Sequence, residues 1–191
     1  MRNALIIVGS VFLVSCSGGA QAPAEKTAAG AAALVTLPNS SVVVAEGRQV
    51  TAFTPEGKQA WVFDLPAGDR VTAAPVAALN STTYVRGAQA LYAVAADGRP
   101  LWDAKHTDGS AAVRGIVPLG DSTVAVTAGD NSLVGYTAEG QTRWTFTLPD
   151  GDGLKAPPAV GANSLVYLRG GKRLYAVDSQ GNLSWQVELG Q

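Results

Sequence analysis

Leu174-Tyr175-Ala176-Val177-Asp178-Ser179-Gln180-Gly181-Asn182-Leu183-Ser184-Trp185 runs from an apolar segment through a polar turn to a tryptophan, and three earlier stretches share its plan. Val50-Thr51-Ala52-Phe53 leads to Gly57 and Trp61, Leu91-Tyr92-Ala93-Val94 to Gly98 and Trp102, and Leu133-Val134-Gly135-Tyr136 to Gly140 and Trp144. Each tryptophan follows its glycine by four residues. The glycines, at 57, 98, 140 and 181, are 41, 42 and 41 residues apart, and all four tryptophans of the chain occupy this slot. A repeat of about 40 residues built on fixed positions marks a repeat architecture.

Working outward, each repeat divides into four short apolar runs separated by turn residues. In the second these are Ala73 to Ala78, Thr82 to Val85, Leu91 to Val94 and Pro100 to Asp103, with turns at Leu79-Asn80, Arg86-Gly87 and Asp97-Gly98. The fourth has Pro158 to Val160, Ser164 to Leu168, a turn at Gly170-Gly171, and then the opening stretch. Runs this short, punctuated this way, predict strands. Four strands per repeat predict an all-β propeller of four four-stranded blades, about 33–65, 71–106, 112–148 and 154–189, within a repeat domain 33–191. The four glycines suit hairpin turns that need a positive φ. Each tryptophan opens the outermost strand, where its ring can pack on a neighbouring blade while its N–H finds a backbone carbonyl.

Composition excludes several classes. The net charge is −1, so nothing points to a nucleic-acid partner. The single cysteine, Cys16, forms no internal disulfide. Residues 1–15 combine a short positive start with the apolar run Ala4 to Val14, shorter than the roughly 20 residues of a membrane span but suited to a signal peptide. Leu13-Val14-Ser15-Cys16 resembles the bacterial lipobox, which implies that Cys16 is acylated and becomes the mature N-terminus. Several acyl chains on one residue anchor a protein stably. By the same resemblance, Ser17 rather than Asp after the cysteine implies an outer-membrane address. Residues 16–32 then read as the lipidated cysteine and a flexible tether.

Ala176, Asp178, Gly181 and Trp185 complete the pattern Ala-x-Asp-x-x-x-Gly-x-x-x-Trp; the second repeat keeps Ala93, Gly98 and Trp102, the first Ala52, Gly57 and Trp61, and the third Gly140 and Trp144. This resembles the tryptophan-docking repeat of PQQ-like, quinoprotein-type β-propellers over roughly residues 33–189. The Asp slot departs from it at Thr54, Ala95 and Thr137. Two branches share such repeats: periplasmic quinoprotein dehydrogenases, with pyrroloquinoline quinone and calcium, and the propeller lipoprotein of the outer-membrane β-barrel assembly machinery, a scaffold without cofactor. Lipobox, tether and propeller together resemble the second. Both branches imply eight blades, twice the number here.

Candidates for chemistry are few. His106 is the only histidine and has no second histidine to join it in a zinc site or triad. Asp150-Gly151-Asp152-Gly153 alternates carboxylates with glycines but lacks the ligand count of a calcium loop, and reads as an inter-blade turn. A quinone site of the family type needs a cysteine pair that this chain lacks. No cofactor and no catalytic residue is therefore expected. Arg70, Arg114 and Lys155 each precede an innermost strand and could ring one mouth of the channel.

The four blades could close as a four-bladed ring, form half of an eight-bladed ring made by a homodimer, or be capped by a partner protein. The functional expectation is a non-enzymatic, lipid-anchored, periplasm-facing scaffold for envelope proteins or peptides, with outer-membrane protein assembly as the role the resemblance implies. A ligand-binding or sensing propeller is the alternative, and a degenerate quinoprotein the third.

Overall fold

The computed structural model describes residues 33–105, 115–120 and 123–190. They form four four-stranded antiparallel sheets, each a meander in chain order. Blade 1 holds β1 (Ala33–Thr36), β2 (Val42–Glu46), β3 (Gln49–Phe53) and β4 (Gln59–Asp64). Blade 2 holds β5 (Val76–Ala77), β6 (Thr83–Arg86), β7 (Ala90–Val94) and β8 (Pro100–Lys105). Blade 3 holds β9 (Ile116–Pro118), β10 (Val124–Ala128), β11 (Ser132–Tyr136) and β12 (Thr142–Thr147), and blade 4 holds β13 (Ala159–Val160), β14 (Val166–Arg169), β15 (Arg173–Val177) and β16 (Leu183–Glu188). The only helical turn among the described residues is the 3₁₀ segment Pro149–Gly151, between blades 3 and 4. The innermost strands of blades 2 and 4, β5 and β13, are shorter than expected, at two residues each.

Each outermost strand begins two residues before its tryptophan and carries a bulge beside it. Ala52 pairs with Trp61 but Phe53 with Gln59, leaving Ala60 as the extra residue. Leu101, Arg143 and Ser184 are extra in the same way. A bulge increases the local twist and re-aims the side chain next to it. The turn before each bulge places its glycine in the left-handed region, with φ of 78°, 86°, 81° and 85° at Gly57, Gly98, Gly140 and Gly181.

The apolar core lies between the blades, because each sheet is apolar on both faces. One buried cluster joins blades 1 and 2 through Val43, Trp61, Val85 and Tyr92. A second joins blades 2 and 3 through Tyr84, Leu91, Ile116 and Val126, and a third joins blades 3 and 4 through Leu133, Trp144, Leu168 and Tyr175. The closed four-bladed ring is corrected here: Trp185 is 41% exposed, and a Cβ at Gly57 would meet nothing within 4 Å, so the last blade does not dock on the first. The blades form an open arc with one free face at each end.

A Cβ at Gly140 would stand 2.6 Å from the Trp102 ring, whereas one at Gly47, also at positive φ, would meet nothing. Gly47→Ala is expected to lower stability by the left-handed penalty alone, about 1–2 kcal/mol, and Gly140→Ala by clearly more. Urea midpoints of the two variants check this.

Candidate interaction surface

The seams are built from one repeated contact. The indole N–H of Trp61 donates to the carbonyl of Ala96 in the next blade at 2.8 Å, that of Trp102 to Ala138 at 2.6 Å, and that of Trp144 to Ser179 at 2.9 Å. Each acceptor lies two residues before a turn glycine, and the indole rings lie on Gly98, Gly140 and Gly181, where a Cβ would come within 3 Å of ring atoms. Glycine is required twice over, for its φ and for this approach. Since every acceptor is a backbone carbonyl, the contact does not depend on the Asp slot of the repeat. Asp178, the one aspartate in that slot, instead accepts from the backbone N–H of Gln180 (2.9 Å) and Asn182 (2.8 Å) within its own turn. Those bonds hold its carboxyl below the usual range although partial burial opposes this.

A second device was not anticipated. The Asp69 carboxylate is 3% exposed and accepts from the backbone N–H groups of Arg70 (2.7 Å), Ala88 (2.6 Å) and Gln89 (3.2 Å) and from the Tyr92 hydroxyl (2.7 Å). Asp152 repeats the arrangement, accepting from Gly153 (3.0 Å), Gly171 (2.6 Å) and the Tyr175 hydroxyl (2.9 Å). In each case an aspartate of an inter-blade linker latches onto the tyrosine 23 residues ahead. The two latches are 83 residues apart (69 and 152, 92 and 175), so a double-length repeat in the sequence is the signal that would have found them. The Asp152 oxygens are thereby committed to protein donors, which gives the Asp-Gly-Asp-Gly stretch a structural role. Desolvation raises the Tyr92 and Tyr175 hydroxyls, and the neighbouring aspartates raise them further, keeping both as donors.

Arg86, read from the sequence as a turn residue, is fully buried; its Nη1 crosses to blade 3 and donates to the carbonyls of Thr127 (2.6 Å) and Gly115 (3.3 Å). Arg70 and Lys155 are both exposed but occupy different register positions, Arg70 directly after the latch aspartate and Lys155 three residues after its own. Lys155 lines a shallow groove with Asp152, Lys172 and Arg173. Arg114, His106 and Cys16 lie outside the described residues. Among the described residues, no three His, Cys, Asp or Glu side chains gather in a group that could hold a metal.

The longest unpaired strand edges lie at the rim. In every blade the outermost strand is six residues long and hydrogen-bonded along one edge only. At the end of the arc all six residues of β16 are exposed, with Trp185 and Val187 side by side on one face.

A sequence model of the family described as outer membrane protein assembly factor BamB matches residues 9–116 and 87–191. Among solved structures, the chain is similar to BamB from Moraxella catarrhalis, with a TM-score of 0.64 and 16% identity over 82% of this chain and 49% of that one. It is similar to the Pan2 WD40 domain of Neurospora crassa, with a TM-score of 0.62 and 14% identity over 84% and 50%. A protein of unknown function from Bacteroides caccae aligns with a TM-score of 0.58 and 12% identity over 82% and 60%. At these identities the likeness is one of fold, and the chain spans at most 60% of the length of any of the three. No curated protein sequence matches it.

The latches make stability acid-sensitive. Burial alone would raise the Asp69 carboxyl, but the Tyr92 hydroxyl and three backbone N–H groups together hold it below its ordinary value. Its contribution is therefore fully present above the unfolded pKa of about 3.9 and is lost as pH falls through the lower folded value. Asp69→Asn is expected to lose about 1.5–3 kcal/mol at pH 7, with the gap to the unsubstituted protein narrowing below about pH 4. Urea midpoints measured at pH 7 and pH 3 test both halves of the expectation.

Proposed function

The chain belongs to the family described as outer membrane protein assembly factor BamB, and from that premise we propose that it is a non-enzymatic scaffold of the bacterial envelope that binds extended protein segments along its rim. The observation that carries the reading is the set of four six-residue outer strands, each with one unpaired edge. An extended peptide can add to such an edge as a further strand, with main-chain hydrogen bonds supplying affinity and alternate side chains supplying selectivity. Segments of outer-membrane proteins before assembly have that character, since they are strand-forming and not yet paired. The polar groups best suited to chemistry, Asp69, Asp152, Tyr92 and Tyr175, are engaged in holding the blades, which supports binding rather than catalysis.

Anchoring belongs to the same proposal. A lipid on Cys16, followed by a tether to about residue 32, would hold the propeller in the periplasm beside the outer membrane, where such segments pass.

Two measurements test the reading. Cys16→Ala is expected to move the protein from the outer-membrane fraction to the soluble periplasm and to abolish labelling by a fatty-acid probe; an unchanged distribution would remove the anchor. A photoreactive residue replacing Thr145, which is exposed on β12, is expected to capture outer-membrane β-barrel precursors in cells. Capture no stronger than from a probe at Leu79, which is exposed in a turn, would contradict binding along the rim.

A further inference from the structure

The internal seams are of two kinds that alternate. Where blade 1 meets 2 and blade 3 meets 4, Phe63 and Phe146 pack on Tyr92 and Tyr175, with ring centroids 5.9 and 6.4 Å apart, and the aspartate latches hold those tyrosines. Where blade 2 meets 3 the seam differs. Ala104 and Val134 occupy the places of the phenylalanine and the tyrosine, and the Tyr84 and Trp102 rings lie 5.8 Å apart at 44°. Trp102 also touches Tyr136 of blade 3 at 6.3 Å, and Arg86 crosses to two blade 3 carbonyls.

The free face of blade 4 is the first half of a seam of this second kind. Tyr167 and Trp185 lie 5.8 Å apart at 43°, which reproduces the Tyr84–Trp102 pair. Val187 stands at the place of Ala104, and Arg169 at that of Arg86, 83 residues on. Arg169 crosses to no other blade; its Nη1 turns back on the carbonyls of Gly170 and Gly171 of its own loop.

The free face of blade 1 is the second half. By strand register, Leu34, Val42, Val44 and Phe53 hold the positions of Ile116, Val124, Val126 and Tyr136 in blade 3. Ile116 is 7% exposed, whereas Leu34 is 67% exposed. Thr51 stands where Val134 does, so Val187 would meet a small partner, as Ala104 does. Gly57 has nothing near it, while the other three turn glycines each have an indole ring against them.

We propose that the fourth blade docks on the first blade of a second copy of this chain, so that two chains close one eight-bladed ring. The Trp185 indole N–H then donates to the Pro55 carbonyl, the counterpart of Ala96, Ala138 and Ser179. Arg169 leaves its own loop for the carbonyls of Ala33 and Ala45, the counterparts of Gly115 and Thr127. A second copy is the occupant because both complementary halves are on this chain and do not meet within it, and because a head-to-tail contact forms a closed ring where its rotation brings the last face onto the first. The proposal goes beyond the envelope role and is independent of it.

The test is the solution mass of the full-length protein in mild detergent, by light scattering with detection that separates protein from detergent. The expected mass is that of two copies. Leu34→Lys and Trp185→Ala, at positions exposed in a single chain, should each halve it while cooperative unfolding persists. Leu79→Lys, at an exposed position on an internal blade, should leave it unchanged. If Trp185→Ala fails to fold, Leu34→Lys alone decides. A single-copy mass for the unsubstituted protein at all concentrations would overturn the proposal. So would a two-copy mass that Leu34→Lys leaves intact, or one copy bound to a different protein at its free faces.

Discussion

An indole ring lying flat on the turn glycine of the next blade is the contact on which the rest of the structure depends. A four-stranded sheet apolar on both faces has no stable existence alone, and the tryptophan supplies in one residue both the large apolar surface and the directional bond that sets blade on blade. The turn glycine is the matching constraint, since any side chain there would fill the space the ring needs. Because Trp61, Trp102 and Trp144 all point toward the following blade, the array has a direction. A chain with direction and no closure ends with one face that offers a tryptophan and another that offers a glycine.

That asymmetry separates the parts of the molecule that hold it together from those left for partners. The groups that set blade on blade are engaged with one another: backbone carbonyls with the indoles, linker aspartates with tyrosines and amides, and the Arg86 Nη1 with two carbonyls of the adjacent blade. The rim strands keep an unpaired edge, and the end faces keep unburied aliphatic and aromatic side chains. Binding therefore has two structurally distinct surfaces, one of backbone at the rim and one of side chains at the ends. They are suited to different partners, an extended segment and a complementary blade.

Most of the fold was legible in the sequence because a repeat writes its constraints several times. The turn glycines and tryptophans fixed four blades and their strand order, and even the partner type of the indole N–H. The open arc was not legible, because the spacing of Gly57 and Trp185 is the same whether or not they meet. Asp150-Gly151-Asp152-Gly153 reads as an inter-blade turn, but nothing local shows that Asp152 is latched by Tyr175, 23 residues away. Asp178 completes the family pattern in sequence, and only the structure shows that it binds its own turn. Arg86 reads locally as the start of an Arg-Gly turn, and only the packing of blade 3 against it shows that the guanidinium is buried. In each case the missing information was the hydrogen-bond partner in the folded chain, and no local pattern encodes that.

The most direct test is hydrogen exchange at the four indole N–H groups of the folded protein, resolved by nuclear magnetic resonance of tryptophan-labelled material. The account predicts that the indoles of Trp61, Trp102 and Trp144 exchange far more slowly than free tryptophan, as donors buried in seams do. Exchange of all three at the rate of free indole would contradict it, because the blades would then be held by something other than the tryptophan contact.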